Sequence, residues 1–156
     1  MGSEAGLCRW LKAGGVEARI INADPAPARY DFLSGSADFE VLEEGHTAVI
    51  RSADLLVMLD VGRSDRIGAV ADPFAAASGT TICIDHHPVE GERPADLCFI
   101  DPGAAATGEL LFTMMKASGR LPDAEAARAL YLAIMTDTGS FRHGNTTPET
   151  HRVTAE

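Results

Sequence analysis

The sequence is poor in cysteine, in positive charge and in long apolar runs, and each shortage excludes something. The 3 cysteines, Cys8, Cys83 and Cys98, are odd in number and form no CxxC pair. That excludes a disulfide framework and a zinc knuckle and fits a reducing compartment. With 13 Lys and Arg against 23 Asp and Glu, the net charge is −10 over 156 residues. Such a chain lacks the basic face that displaces counterions from long duplex nucleic acid, yet a short phosphorylated ligand can still bind through a cation. No apolar stretch reaches membrane-spanning length and nothing reads as a signal peptide, so the expected location is cytoplasmic, without a membrane partner. Low-complexity segments and internal repeats are lacking too. What is present, at 46% hydrophobic, is enough chain for one domain with a core.

The elements read as helices alternating with strands. "SEAGLCRWLKAGG" carries Leu7, Trp10 and Leu11 at helical spacing and stops at Gly14-Gly15. "VEARIINADP" alternates into a short strand ended by Pro25. "DLLVMLD" (54–60) reads as a strand buried on both faces, "TTICID" (80–85) and "DLCFID" (96–101) as two more. The segment "SDRIGAVADPFAAAS" reads as a helical connection interrupted near Pro73. "AAATGELLFTMMKAS" pairs Leu110 with Met114 and Leu111 with Met115, four apart on a helix, which puts Leu110, Met114 and Met115 in the core. "DAEAARALYLAIMT" (123–136) is a further helix with Asp123 as N-cap. "TTPET" opens another, capped either by Thr147 with Pro148 in first position or by Thr146 with Glu149 closing a capping box. The order implies an α/β fold: a mostly parallel sheet with helices on both faces.

Ligands of such sheets lie outside the carboxyl ends of the strands. Asp60 ends "LLVML" and Asp85-His86-His87 ends "TTICI", so both fall on that edge, and Asp137, in the turn "MTDTGSF", could reach it. Carboxylates with imidazoles suit a borderline divalent cation such as Mn²⁺; carboxylates alone suit Mg²⁺ or Ca²⁺. Asp60, His86 and Asp137 form the candidate ligand set, with Asp85 orienting a histidine behind it. His87 is left to meet a phosphate or to protonate a leaving oxygen. The Thr107 hydroxyl and the amides at the start of its helix could hold a phosphate. Arg142 and His143 would supply charge there. His46 and His151 have no constellation around them and read as surface; Cys83 reads as inert packing.

Together these motifs resemble the DHH phosphoesterases. "IDHHP" is similar to the family signature, "LLVMLDVG" to its second motif, "DPGAAATGELL" to the segment after the third and "MTDTGSFRHGNTTPETHR" to the fourth. Residues 2–33 resemble the opening of the bifunctional oligoribonuclease and 3′-phosphoadenosine-5′-phosphate (PAP) phosphatase group. The resemblance implies a parallel α/β catalytic domain that usually holds two Mn²⁺ ions, with Mg²⁺ possible. It makes Asp60 the bridging ligand, His86 and Asp137 ligands of the second ion, Asp85 a support, and His87 the residue facing the substrate phosphate. Arg142, His143, Asn145, Thr146 and Thr107 fall where substrate is held. The substrates implied are short single-stranded RNA or PAP.

The family's first motif, a strand followed by His-x-x-x-Asp-x-Asp-Ala, has no counterpart before Gly2-Ser3, and its second, substrate-gripping domain has none after Glu156. The expectation is therefore a partial DHH domain over 1–156, lacking the first strand and its ligands, with Asp60 alone left at the first ion site. Hydrolysis by this chain should be poor, and an open sheet edge should favour marginal stability or a homo-oligomer. Two alternatives stay open: a non-catalytic module binding a metal or nucleotide, and a related pyrophosphatase or cyclic dinucleotide phosphodiesterase.

Overall fold

The computed structural model describes residues 1–33, 39–88 and 91–156, and of Ser64 the backbone alone. Its elements are α1 (Gly2–Ala13), β1 (Ile20–Asn22), β2 (Phe39–Val41), α2 (Glu44–Ser52), β3 (Leu55–Leu59), α3 (Ala71–Ala75), β4 (Thr80–Asp85), β5 (Leu97–Ile100), α4 (Thr107–Ala117), α5 (Ala124–Asp137) and α6 (Pro148–Ala155). Every strand pairing is parallel, as expected. The pairing is divided: β1 pairs β2, while β3, β4 and β5 form a separate three-stranded sheet in that order. Among the described residues no helix is long and apolar enough to cross a membrane.

The three-stranded sheet is covered on both faces, because successive side chains of a strand point opposite ways. Ile84, with Val57, Leu59 and Ile82, packs on Leu110, Leu111, Met115, Leu130, Ile134 and Val153 of α4, α5 and α6. Met58 and Cys83 pack on Phe74 of α3, with Leu56, Cys98 and Ile100 beside them. Burial of the Cys83 thiol raises its pKa to about 11, which suits the inert role expected of it. Coverage is incomplete: Leu55 and Leu97 at the amino ends and Phe99 further along β5 are exposed, so β3 and β5 are not buried on both faces as their apolar runs suggest.

α1 buries a face of small residues, Gly2, Ser3, Ala5, Gly6 and Cys8, and not the stripe of Leu7, Trp10 and Leu11 that its spacing predicts. Close approach to α5 is the reason: a Cβ on Gly2 would come within 2.6 Å of the Ala129 carbonyl oxygen. Leu7 and Trp10 pack at the margin of the main core. Trp10 is also fastened to the α4–α5 turn. Its indole N–H donates to the Arg120 carbonyl at 2.9 Å, and the Arg120 guanidinium lies 3.7 Å above its ring.

Several local readings are corrected. The connection through Pro73 is two short 3₁₀ turns followed by α3, and Pro73 sits in the first turn of α3, where its missing N–H has no helical partner to lose. α5 runs through Asp137, so that residue closes the helix and does not sit in the turn after it. Met114 is 40% exposed while Met115 is buried, because only one flank of α4 faces the sheet. Asp123 caps α5 as expected, accepting from the Ala126 N–H at 2.8 Å. Thr147 caps α6 with Pro148 first, but its capping box is closed by Thr150 and not by Glu149. β2 and α2 escaped the sequence reading. His46 is not a free surface residue: its Nδ1 accepts from the Glu43 N–H at 3.0 Å to start α2, and its Nε2 lies 3.1 Å from Glu40.

Candidate metal centre

Two strands end side by side and carry the acids with them. Asp60 follows β3 and continues its ladder by donating its N–H to the Ile84 carbonyl at 3.1 Å. There its backbone turns left-handed, at φ 61°. That conformation is uncommon without glycine but more accessible to Asp than to most residues, and it clusters at functional sites. Asp85 is the last residue of β4, with His86 and His87 following directly.

Asp85 is 0% exposed and organises the two histidines. Its Oδ1 accepts from the backbone N–H groups of His86 at 2.7 Å and His87 at 3.0 Å, and lies 2.7 Å from His87 Nδ1. This contact fixes the proton on Nδ1 and leaves His87 Nε2 outward on a ring that is 54% exposed. The other oxygen, Oδ2, is buried without a partner among the described residues. A Cβ on Gly62 would stand 3.0 Å from it, so the absent side chain there keeps the approach open.

His86 Nε2 points between two carboxylates, 3.4 Å from Asp60 Oδ1 and 3.7 Å from Asp137 Oδ2. Donors bound to one ion at about 2.0–2.2 Å stand about 3–4 Å apart, and each of the two carboxylate oxygens stands at that separation from His86 Nε2. Asp60, Asp85, His86 and His87 also each offer a donor atom within 4.8 Å of one another. Mixed imidazole and carboxylate donors beside an orphaned buried carboxylate oxygen fit a divalent cation.

The electrostatics describe a site short of positive charge. Burial works against ionised Asp60, but contact with His86 and the hydrogen bond from Thr107 outweigh it and hold the carboxyl below its usual pKa. His86 is raised, first by its contact with Asp60, against desolvation, and further by the charge of Asp137. Asp137 is raised to about 6, first by burial and then by the negative charge of Asp60. Neighbouring carboxylates that resist joint ionisation are what a bound cation would relieve.

Residues 1–134 match the profile described as "DHH family, N-terminal domain". The chain belongs to the DHH family. Over its whole length it is 38% identical to the bifunctional oligoribonuclease and PAP phosphatase NrnA of Thermus thermophilus, and over 99% of its length 28% identical to the protein of the same name from Bacillus subtilis. It spans 44% and 47% of those two relatives, so just under half of each. An exopolyphosphatase-related protein from Bacteroides fragilis superposes with a TM-score of 0.92 at 28% identity, over 99% of this chain and 46% of that one. A putative family II inorganic pyrophosphatase of Methanococcus jannaschii, at 15% identity and TM-score 0.56, shares the fold.

The remaining candidates of this DHH-family chain fall into two groups. Thr107 is fully buried, and its hydroxyl donates to Asp60 Oδ1 at 2.9 Å. It therefore spends its proton, at the start of α4, on a carboxylate. Asn145 also spends its amide nitrogen on the protein, donating to the carbonyls of Ala105 at 3.0 Å and Asp137 at 3.2 Å. The Thr146 hydroxyl is buried without a partner among the described residues. Arg142 and His143 are exposed on the α5–α6 turn; Arg142 Nε donates to the Gly139 carbonyl at 2.9 Å, and the His143 ring folds over Gly139. The turn is strained, with left-handed Gly139, Ser140 and Phe141 in succession. Sequence reasoning missed Glu109, a buried carboxylate. An acid two residues after Thr107 in an otherwise apolar helical run was the available signal for Glu109.

Proposed function

We propose that residues 1–156 are one partial domain of a phosphoesterase that acts on short RNA oligonucleotides or PAP, with Asp60, His86 and Asp137 holding Mn²⁺ or, less suitably for the imidazole, Mg²⁺. The observation that carries the reading is the placement of His86 Nε2 between the two carboxylates. The names of the Thermus and Bacillus relatives point to the substrate class. A bound divalent ion would supply Lewis-acid polarisation of the phosphoryl oxygens and activation of water.

The chain's own groups have distinct tasks in this reading. Asp85 sets the tautomer of His87 and keeps its ring turned outward. His87 Nε2 is then free to accept a hydrogen bond from substrate or, once protonated, to donate a proton to the leaving oxygen. Arg142 and His143 sit on the exposed turn where a substrate phosphate would meet positive charge. Thr107 keeps Asp60 ionised and aimed.

Hydrolysis by the 156-residue chain is expected to be slower than the roughly one turnover per second of ordinary enzymes, because the family's first-motif ligands have no counterpart in it. The test is release of nucleotide from a 5′-labelled trinucleotide and of phosphate from PAP, with Mn²⁺ and with Mg²⁺. Activity that is measurable and lost in Asp60→Asn supports the reading. Manganese uptake by Asp60→Asn and His86→Asn equal to that of the native chain would sink it. The likeness to an exopolyphosphatase-related protein favours a second reading, hydrolysis of inorganic polyphosphate; the same assay with polyphosphate as the faster substrate would select it.

A further inference from the structure

The donors of the candidate metal centre come from two separate pieces of chain. Asp60 and His86 stand at the ends of β3 and β4, whereas Asp137 ends α5. Something must set the distance between them, since a donor misplaced by an ångström loses most of its value to an ion.

Residues 104–107 lie between the two pieces. On one side the Thr107 hydroxyl donates to Asp60 at 2.9 Å. On the other side the backbone of Ala105 is held both at its N–H and at its carbonyl. Its N–H donates to Glu109 Oε2 at 3.3 Å, and the same oxygen accepts from the Thr150 hydroxyl of α6 at 3.0 Å. Its carbonyl accepts from Asn145 Nδ2, which also donates to the carbonyl of Asp137. Ala105 and Thr150 are 0% exposed and Glu109 is 5% exposed, so the Glu109 half of this arrangement is shut from water. Asn145 itself is exposed and carries no core packing.

We propose that Asn145 is a positioning residue: by bridging the Ala105 and Asp137 carbonyls it locks the loop that aims Asp60 to the helix end that carries Asp137, and so sets the geometry of the ion site. Glu109 anchors the same loop from below, tying it to the start of α6. The proposal rests on the metal reading for its consequence, but the clamp itself is a property of the ion-free chain.

The test compares the native chain with Asn145→Leu, which matches it in size without a donor, and Asn145→Ala. Hydrogen exchange of the ion-free proteins reads the clamp. In both variants, peptides covering 101–107 and 137–145 are expected to exchange about tenfold faster, on the scale of two lost hydrogen bonds, with peptides over β3 and β4 at the native rate. Native exchange rates in both segments would overturn the proposal, whatever the chain does with a metal. Cobalt(II) titration then reads the consequence. Uptake is expected to weaken by about 10–100-fold, with a changed visible absorption band and a melting temperature close to native, which loss of structure alone would not give. Equal cobalt affinity in native chain and variants would also overturn it. A native chain that takes up no cobalt would defeat the metal reading, and the exchange result would still decide the clamp.

Discussion

The ends of β3 and β4 and the junction of α4, α5 and α6 contribute to one site by different means. At the end of β4 the functional groups are adjacent in sequence, and Asp85 orders both histidines through contacts one and two residues away. At the helix junction the contacts span about forty residues: Asn145 reaches Ala105 and Thr150 reaches Glu109. The first region is built by local backbone geometry, the second by packing. Local geometry survives changes elsewhere in the fold, whereas the junction holds only while three helices stay seated.

Damage to the packed side should have the largest effect on folding. Met115→Ala is expected to cost about 2–5 kcal/mol of stability in urea unfolding, whereas Met114→Ala, one residue earlier but exposed, should stay within about 0.5 kcal/mol. Equal costs would mean that α4 presents a different face. At the strand ends, His86→Ala should leave melting nearly unchanged and weaken manganese uptake by about 100-fold or more, beyond the range seen for residues that only support a ligand; calorimetric titration measures both. Thr107→Val keeps the shape and removes the hydroxyl from Asp60. It should weaken uptake by about tenfold, and the Asp60 carboxyl, read by NMR, should titrate higher than in the native chain.

The smallest effect is on pH dependence. Asp137 holds its proton up to about 6 in the folded chain, above its ordinary 3.8. Below that ordinary value both folded and unfolded chains are protonated and the group contributes nothing. As pH rises from there through about 6, the unfolded chain ionises first, so the folded ion-free chain loses stability. His86, raised in the folded chain, acts in the same direction: its stabilisation is present below its ordinary 6.5 and lost as pH rises through the folded value. Manganese should cancel the Asp137 loss, and Asp137→Asn should remove it. A melting temperature that climbs between pH 4 and pH 6 in chelator, and does so equally in Asp137→Asn, would contradict this account.

Much of the strand-end region was legible in the residues. An acid and two histidines closing an apolar run have no packing use, and the rule that parallel strands present their carboxyl ends to ligands placed Asp60 beside them. The helix caps at Asp123 and Thr147 were legible for the same reason, since a cap is a local hydrogen bond. β2 and α2 were not, because their residues carry weak patterns and are specified by pairing with β1 and by the His46 contacts. Thr107 and Asn145 were singled out, but their partners within the chain were not: a hydroxyl or an amide shows in sequence that it will bond, not to what.

The sequence by itself determined the alternating parallel architecture and the place of Asp60 and of Asp85-His86-His87 at strand ends, because each follows from short-range periodicity and backbone hydrogen bonding. Only the tertiary structure decided that His86 faces Asp60 and Asp137 at once, that Thr107 serves a carboxylate, and that Asn145 and Glu109 brace the loop between them. Those contacts join residues tens of positions apart, and their distances are set by how α1, α4, α5 and α6 pack on one face of a sheet.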